Sequence, residues 1–371
     1  MKKMAGFRKG VDLGGWLSQC DYSQERLDYF IVEKDFAKIA SWGADHVRLP
    51  FDYNIVQKED GSLIEDGFVR LQKAIDWSKK YNLKIVLDLH KTKGFSFDKG
   101  ENQSGFFDSE SLQNMFYVLW EEMAKRFGSD VENVAFELLN EITDQSFIDA
   151  WNRISTECIK RIRKYAPDIL ILLGSYWNNS PDAVKDLLPP QDDKVIYNMH
   201  CYDPMKFTHQ GAYWTDMIVQ EDRYSFEDIN IDAEYFKGRF ASAVETAKKN
   251  NTALYCGEYG VIDVATPEDT VKWYKAIHEA FEDLGIGRSA WSYKEMDFGL
   301  SDERMSGVID ELGELLIQVG ADGGEAHVAV VGVVGVLVSA HVEVLAAILG
   351  EVLGVLVQQS LEEGHGLGVL Q

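Results

Sequence analysis

The chain has 371 residues, 46% of them hydrophobic and 26% charged, and a formal net charge of −24 at pH 7. This length suits one (β/α) barrel with an appendage, or two medium domains, and allows a large buried core. The acidic surface would repel nucleic acid phosphates and anionic membranes, so we expect neither as a partner, whereas an uncharged polysaccharide is compatible with it.

The cysteines and the N-terminus further limit the kind of protein and the cellular compartment that we expect. No C-x-x-C spacing occurs, which disfavours zinc ribbons and thioredoxin-type redox sites. We expect four reduced thiols that pack mostly as small apolar side chains: Cys20, Cys158, Cys201 and Cys256. The first residues lack the apolar segment of a signal peptide, so we expect a cytoplasmic chain as given, or a secreted one if a leader was removed.

Strand-like and helix-like segments alternate from the N-terminus to about residue 316. The strand-like segments are short apolar runs, as expected of parallel strands buried on both faces. Eight alternations predict an α/β fold, a (β/α)8 TIM barrel over residues 1–316. A doubly wound open sheet is the alternative, but no G-x-G-x-x-G loop follows the first strand. The predicted strands are Val11–Leu13, His46–Phe51, Lys84–His90, Val134–Asn140, Ile169–Gly174, Val195–Tyr202, Ala253–Gly257 and Gly287–Ser292.

Two of the intervening helices have clear apolar faces. One follows the second strand and carries Phe68, Leu71, Ala74 and Ile75 at helical spacing. The other follows the third strand, and Gly128 is placed to end it. The apolar face of this second helix consists of Leu112, Phe116, Leu119, Met123 and Phe127.

Residues 317–371 differ in composition from the rest of the chain. They contain no Lys, Arg, Pro, Cys or aromatic residue and consist mainly of Val, Gly, Leu, Ala and Glu. Their apolar stretch falls short of the roughly 18 residues of a membrane span and lacks a positive flank. We expect this atypical low-complexity tail to be non-native to the barrel, for example a frameshift product or fusion scar, with a natural flexible extension as the alternative.

Polar and aromatic residues lie where the predicted strands end, which is where barrels of this kind collect their chemistry. Two of them are glutamates, Glu141 after the fourth strand and Glu258 after the seventh. Such a pair is what glycoside cleavage requires, because one carboxyl protonates the leaving oxygen and the other meets the sugar carbon. The predicted site set is Arg48, His90, Asn140, Glu141, His200, Tyr202, Glu258 and Trp291.

Six motifs in chain order resemble those of glycoside hydrolase family 5. They are GVDLGGWL at 10–17, HVRLP at 46–50, FELLNE at 136–141, NMHCY at 198–202, YCGEYG at 255–260 and AW at 290–291. The resemblance covers residues 7 to about 316. It is greatest to compact bacterial endoglucanases active on cellulose and mixed-linkage β-glucan, although the opening motif also resembles that of exo-β-1,3-glucanases.

The resemblance implies a retaining endo-β-1,4-glucanase that acts by double displacement, with an exo-β-1,3-glucanase or β-mannanase on the same pair as the alternative. A β-glucan would be the partner of a monomeric enzyme with no cofactor and no metal. Two other classes compete: a non-catalytic carbohydrate-binding barrel, which should have lost a carboxylate, and a metal-dependent or sugar-phosphate enzyme. The metal-dependent or sugar-phosphate enzyme is disfavoured because this sequence shows neither metal-ligand spacing nor a phosphate-binding loop.

The same resemblance implies roles for the two glutamates. Glu141 would be the general acid/base, which requires a pKa raised towards neutrality. Glu258 would be the nucleophile, kept ionised by the positive charge of Arg48 and a hydrogen bond from Tyr202. Retention would follow if the two carboxyls lie about 5–5.5 Å apart.

The remaining members of the set would contact the sugar. Asn140 would hydrogen-bond its 2-hydroxyl, a contact that tightens in the transition state. His90 and His200 would line the subsite beside the cleaved bond. Trp291 would give the sugar ring an apolar floor.

Some further residues have a functional and a structural interpretation at once. Trp177 and Trp214 follow the fifth and sixth strands and are candidate sugar platforms, while Asn178 and Asn179 either reach a sugar hydroxyl or form a turn. The loop 203–232 is expected to wall one side of the cleft. Its aromatic residues, which either bind sugars or pack the loop, are Phe207, Tyr213, Trp214 and Tyr224.

Two strand carboxylates, Asp88 and Glu137, are expected to face away from the site or to lie deeper than it. The chain also departs from the family twice. Ile142 follows the Asn140-Glu141 pair where proline is common, and recognisable sequence stops within the eighth helix expected near 306–316.

Overall fold

The structure, a computed structural model, describes residues 1–98, 100–101 and 103–309. Eight parallel strands close into a barrel in which each strand pairs with the next in sequence and the eighth pairs with the first. Val11 pairs with both Val47 and Ala290, which closes the ring. The predicted TIM barrel is therefore confirmed. Its strands are β1 (Lys9–Asp12), β2 (His46–Asp52), β3 (Lys84–Lys91), β4 (Val134–Glu137), β5 (Leu170–Leu173), β6 (Val195–His200), β7 (Leu254–Glu258) and β8 (Gly287–Ala290).

The helical segments follow the strands around the barrel. The two predicted amphipathic helices are present as α4 and α5, and Gly128 caps the second one by donating to the Ala124 carbonyl. The α-helical segments are α1 (Gln24–Tyr29), α2 (Glu33–Ser41), α3 (Tyr53–Val56), α4 (Glu65–Lys80), α5 (Glu110–Phe127), α6 (Ile148–Ile162), α7 (Tyr176–Asn179), α8 (Met205–Thr208), α9 (Ala233–Lys249) and α10 (Pro267–Leu284). Short 3₁₀ turns cover Gln145–Phe147, Pro181–Asp186, Phe226–Asp228 and Glu303–Met305.

Side chains alternate along each strand between the helices and the barrel interior. On β3, Leu87 and Leu89 pack in the large core shared with the helices, whereas Val86 belongs to a separate interior cluster. Asp88 and His90 continue the series that begins at Val86, so they face the interior as well. The interior is thus apolar at its amino end and polar at its carboxyl end.

An apolar plug fills the amino end of the barrel interior. It combines inward side chains of five strands with the N-terminal segment that precedes β1. Its members are Met4, Phe7, Val86, Ala135, Leu172, Ile196, Ala253 and Tyr255.

Several other expectations can be compared with the structure. The four cysteines are unpaired, and all but the partly exposed Cys20 are buried. Within the described residues, no helix combines the length and apolar character needed to cross a bilayer. The tail 317–371, and the predicted eighth helix beyond residue 309, lie outside the described residues.

Candidate active site

All eight residues of the predicted site set lie together at the carboxyl end of the barrel. Four lie in strands, namely Arg48, His90, His200 and Glu258. Four lie just beyond a strand end, namely Asn140, Glu141, Tyr202 and Trp291. Since parallel strands all point the same way, residues distant in sequence meet at this one rim.

Glu258 is the last residue of β7 and is only 5% exposed. Its Oε1 accepts a hydrogen bond from Nη1 of Arg48 at 2.8 Å, and its Oε2 accepts one from the Tyr202 hydroxyl at 2.9 Å. Nδ1 of His200 lies 3.6 Å from the same Oε2. Donors on both oxygens fix the orientation of this carboxylate, which suits a group that must attack along one line.

Glu141 reaches the same space from a different direction. Its backbone φ is +42°, in the left-handed region, and its side chain is 12% exposed. Oε1 lies 2.9 Å from Nδ1 of His200, and Oε2 accepts from Nδ2 of Asn178 at 2.8 Å. Burial raises the pKa of Glu141 to about 7, although the hydrogen bond from Asn178 and the charge of Arg48 oppose that shift. A carboxyl that titrates near neutrality can both give and take a proton there.

The two carboxylates are close. One oxygen of Glu141, one ring nitrogen of His200 and one oxygen of Glu258 all lie within 4.8 Å of one another, so the two glutamates approach each other at least that closely.

Two carboxylates and an imidazole at this spacing are also a group that can bind a metal ion, which makes the expectation of metal independence worth testing. Undiminished activity after dialysis against a chelator would support that expectation, and loss restored by a divalent cation would contradict it.

Arg48 is fully buried among four carboxylates. Its guanidinium nitrogens lie 2.7 Å from Glu137, 2.8 Å from Glu258, 3.0 Å from Asp88 and 3.6 Å from Asp12. Burial raises the pKa of Asp12, Asp88 and Glu137 despite the lowering effect of Arg48. Burial therefore disfavours simultaneous ionisation of these three carboxyls.

Asn140 is held by the same guanidinium. Its Oδ1 accepts from Nη2 of Arg48 at 2.9 Å, and its backbone nitrogen donates to the Leu89 carbonyl at 3.0 Å. Its buried Nδ2 has no hydrogen-bond partner among the described residues. A fixed amide with a free donor can bind a hydroxyl group of a ligand.

His90 and Trp291 form one wall of the site. Their rings are parallel, with an interplanar angle of 1° and centroids 5.7 Å apart. Nδ1 of His90 lies 2.6 Å from Oδ2 of Asp88. Burial lowers the pKa of His90 to about 3 and that of His200 to about 4, so both imidazoles are neutral over the ordinary pH range.

Two exposed tryptophans are linked through neighbouring residues to groups that hydrogen-bond the glutamates. Trp177 is 52% exposed and immediately precedes Asn178, the donor to Glu141. Trp214 is 45% exposed and lies 6.5 Å from the Phe298 ring, which in turn lies 5.8 Å from Tyr202.

The loop after β6 divides the aromatic residues that the sequence left undecided. Phe207 is fully buried and packs the loop, whereas Tyr213 is 74% exposed. Trp214, beside it, is the member that approaches the site. Tyr224 is partly buried. Its backbone nitrogen donates to Oε1 of Gln210, and its carbonyl oxygen accepts from Nε2 of the same side chain.

Of the four carboxylates around Arg48, the sequence analysis placed Glu258 in the site and expected Asp88 and Glu137 to face away or to lie deeper. Asp88 and Glu137 do not face away from the site; they lie deeper on the same, inward side, as the alternation with His90 indicates. Asp12 was not singled out, although it stands at the end of β1 and accepts from the Ser289 hydroxyl at 2.5 Å. The sequence did contain a signal for two of them. Asp88 lies two residues before His90 and Glu137 lies four before Glu141, so strand alternation places each on the same side as a site residue.

The fold and the site together define a barrel built for glycoside cleavage, with two carboxylates of unlike surroundings at the rim. The sequence model described as Cellulase (glycosyl hydrolase family 5) matches residues 14–297. The chain therefore belongs to glycoside hydrolase family 5, and it is a glycoside hydrolase.

Individual relatives agree with that assignment. The chain is 58% identical to Cellodextrinase A of Ruminococcus flavefaciens over 288 residues, 78% of this chain and 86% of that protein. It is 36% identical to Endoglucanase C of Acetivibrio thermocellus over 340 residues, 84% of this chain and 98% of that protein. The crystal structure of the clostridial cellulose synthase subunit Z from Clostridioides difficile is similar with a TM-score of 0.71 at 26% identity, covering 84% of this chain and 100% of that one.

Proposed function

We propose that this chain is a retaining endo-β-1,4-glucanase for cellulose-type and mixed-linkage β-glucans, with Glu141 as acid/base and Glu258 as nucleophile. The observation that carries the proposal is the pair itself, with oxygens within 4.8 Å of each other. Carboxyls in retaining glycosidases lie about 5–5.5 Å apart, whereas inverting ones lie roughly 6.5–9.5 Å apart to admit a water.

The first half of the reaction forms a glycosyl-enzyme. A carboxylate oxygen of Glu258 bonds to the anomeric carbon while the bond from that carbon to the glycosidic oxygen breaks. The proton of Glu141 moves to the departing oxygen, so the leaving sugar departs as a neutral alcohol. Glu141 ends this step ionised, beside the donors Asn178 and His200.

The second half releases the sugar with its configuration retained. Glu141 takes a proton from a water as that water's oxygen bonds to the anomeric carbon, and the ester bond to Glu258 breaks. Glu141 is then protonated again and Glu258 is again a carboxylate. A pKa near 7 suits Glu141 to both directions of proton transfer.

The surrounding residues would stabilise the charge that develops on the sugar. The unpartnered Nδ2 of Asn140 would donate to the 2-hydroxyl, and the parallel rings of His90 and Trp291 would offer an apolar wall to the sugar ring. Trp177 and Trp214 would be platforms for sugars further along the chain, because the C–H faces of sugars pack on exposed aromatic rings.

The choice of β-1,4-glucan rests on the relatives, named as a cellodextrinase and an endoglucanase. Product analysis on carboxymethyl cellulose, barley β-glucan, laminarin and mannan tests it. We expect rapid loss of viscosity and short oligosaccharides from the first two. Glucose released steadily from laminarin with little viscosity change would replace the proposal with an exo-β-1,3-glucanase, and hydrolysis of mannan alone would replace it with a β-mannanase.

A preference for short cellodextrins is a second candidate, favoured by the 58% identity to a protein named cellodextrinase. Comparing the enzyme's kcat/KM on cellotetraose with its rate of viscosity loss on carboxymethyl cellulose separates the two. Fast cleavage of cellotetraose with almost no viscosity loss would indicate the cellodextrinase.

A further inference from the structure

The segment α7, after β5, is a single left-handed turn. Trp177, Asn178 and Asn179 have φ of +50°, +55° and +56°, and the first two have ψ near +50°. Asparagine tolerates this conformation, but a bulky residue such as tryptophan rarely adopts it. Consecutive residues of this kind persist only where the surroundings impose them, which often happens at functional sites.

The turn is anchored to the segment that carries Glu141. The backbone nitrogen of Asn178 donates to the Ile142 carbonyl at 2.9 Å, and its side-chain Nδ2 donates to Oε2 of Glu141 at 2.8 Å. An amide donor at Oε2 forms a stronger hydrogen bond to the ionised carboxylate than to the neutral acid. The contact therefore gains strength as Glu141 releases its proton.

The next residue of the turn acts on the other oxygen of Glu141 through His200. Asn179 is fully buried, and its Nδ2 lies 3.2 Å from Nε2 of His200. When Asn179 donates to Nε2, that nitrogen is an acceptor and the ring proton lies on Nδ1. Nδ1 is the atom 2.9 Å from Oε1 of Glu141, so the carboxyl receives a second donor.

A glycine makes room for this arrangement. A Cβ on Gly174, the residue that follows β5, would lie 2.2 Å from Oδ1 of Asn179. Any side chain there would displace the amide that orients His200. The strand end, the turn and both asparagines thus form one unit, directed at one carboxyl group.

We propose that Asn178 and Asn179 are positioning residues for the acid/base, each securing one oxygen of Glu141: Asn178 directly, and Asn179 by setting the tautomer of His200. The inference rests on the proposed role of Glu141 and adds to it. Its consequence is that the turn promotes proton delivery to the leaving oxygen, a contribution needed for poor leaving groups and much less for good ones.

Asn178→Gly is the decisive variant, because glycine keeps the left-handed turn while removing the amide. We expect kcat/KM on cellotetraose to fall about tenfold or more, since a hydrogen bond to a charged group is lost. On dinitrophenyl cellobioside, whose leaving group needs no proton, the loss should be much smaller. The alkaline limb of the kcat/KM profile on cellotetraose should move to higher pH, because the ionised form of Glu141 loses a donor.

Asn251→Gly is the matched control, since Asn251 also has a left-handed φ, of +51°, but lies before β7 at the opposite end of the barrel. Asn251→Gly should leave kcat/KM on both substrates, and the pH profile, unchanged. Equal losses on the two substrates in Asn178→Gly, or an unmoved alkaline limb, would overturn the role of Asn178.

The role of Asn179 is tested by nitrogen NMR of the His200 ring. We expect the ring proton on Nδ1 in the unmodified enzyme, and protonation of Nε2 in Asn179→Asp, where an acceptor replaces the donor. A proton found on Nε2 of the unmodified enzyme would overturn this part.

Glu141→Gln is assayed in parallel to separate the two proposals. If Glu141→Gln cleaves cellotetraose normally, the proposed function itself fails. If Glu141→Gln is inactive but Asn178→Gly is unaffected, only the positioning inference fails.

Discussion

Glu141 and Glu258 are the same side chain in two different environments. Burial without a direct cation contact raises the pKa of Glu141 to about 7, whereas Glu258 accepts from the Arg48 guanidinium and the Tyr202 phenol. One carboxyl is thereby suited to carry a proton and the other to attack. The division of roles follows from neighbours, since nothing intrinsic distinguishes the two residues.

Removing either carboxylate should abolish turnover of β-glucan. We expect Glu141→Gln and Glu258→Gln each to lose on the order of a thousandfold or more in kcat on barley β-glucan, with the fold intact by circular dichroism. Glu234→Gln, at a side chain 77% exposed on α9, is the control and should keep full activity. Two variants that both remain active would remove the proposed pair.

Activity should decline as pH rises past the pKa of Glu141. The proton donor must be protonated at the start of the reaction, so the form needed for catalysis is abundant below about pH 7 and is lost above it. We expect kcat/KM on cellotetraose to fall roughly tenfold per pH unit on the alkaline side. A profile that stays flat well into the alkaline range would show that Glu141 does not limit the reaction.

The residue scale also separates what sequence could find from what it could not. The eight predicted residues were recognisable from motifs at strand ends. The four carboxylates around Arg48 were not recognised as a group, because their meeting depends on residues from β1, β2, β3, β4 and β7. Asn178 was undecided between turn and ligand, and its contact with Glu141 comes from a backbone conformation that composition does not indicate.

At the scale of elements, the strand ends differ from those predicted. The apolar run of the fourth strand continues to Leu139, but the ladder of β4 ends at Glu137. Beyond it, the backbone nitrogen of Leu138 donates to Leu172 and that of Asn140 donates to Leu89. In a regular strand, residues two apart donate to the same neighbour, so this change of partner marks a break in the extended backbone just before Glu141.

The end of β7 depends on a glycine. The backbone nitrogen of Gly257 donates to Oδ1 of Asn198 at 2.9 Å, and a Cβ would lie 2.8 Å from that oxygen and 3.0 Å from Nε2 of His200. We expect Gly257→Ala to displace both side chains, lowering activity strongly and the free energy of unfolding by about 1–3 kcal/mol, as measured by denaturant titration.

Gly238→Ala is the matched control for that substitution. Gly238 lies in α9, and a Cβ there would meet nothing within 4 Å. Alanine has the higher helix propensity, so we expect unchanged activity and a free energy of unfolding equal or higher by up to roughly 1 kcal/mol. If Gly257→Ala behaved like this control, the close packing at the end of β7 would not matter to the site.

At the scale of the whole molecule, the barrel and residues 317–371 are distinct in composition. We expect a variant ending at Leu316 to keep its specific activity on barley β-glucan and a melting temperature within about 2 °C of the full chain. The reason is that every proposed site residue lies within 12–291 and the barrel closes through β8. Loss of activity on truncation would contradict the expectation that the tail is non-native to the barrel.

The sequence by itself determined the eight-stranded barrel and the location of its chemistry. Apolar runs of strand length, helical periodicity between them and polar residues at strand ends are local properties, and each can be read without knowing what lies nearby in space. Six motifs in order then sufficed for the family.

The tertiary structure decided how those residues work. It placed one guanidinium among four carboxylates, gave Glu141 and Glu258 unlike neighbours, and brought a left-handed turn after β5 against the segment after β4. These features depend on contacts between residues far apart in the chain, at distances near 3 Å, where burial and hydrogen bonding set protonation. The order of residues along the chain does not give distances of this size, because the same residues on differently curved loops would not meet.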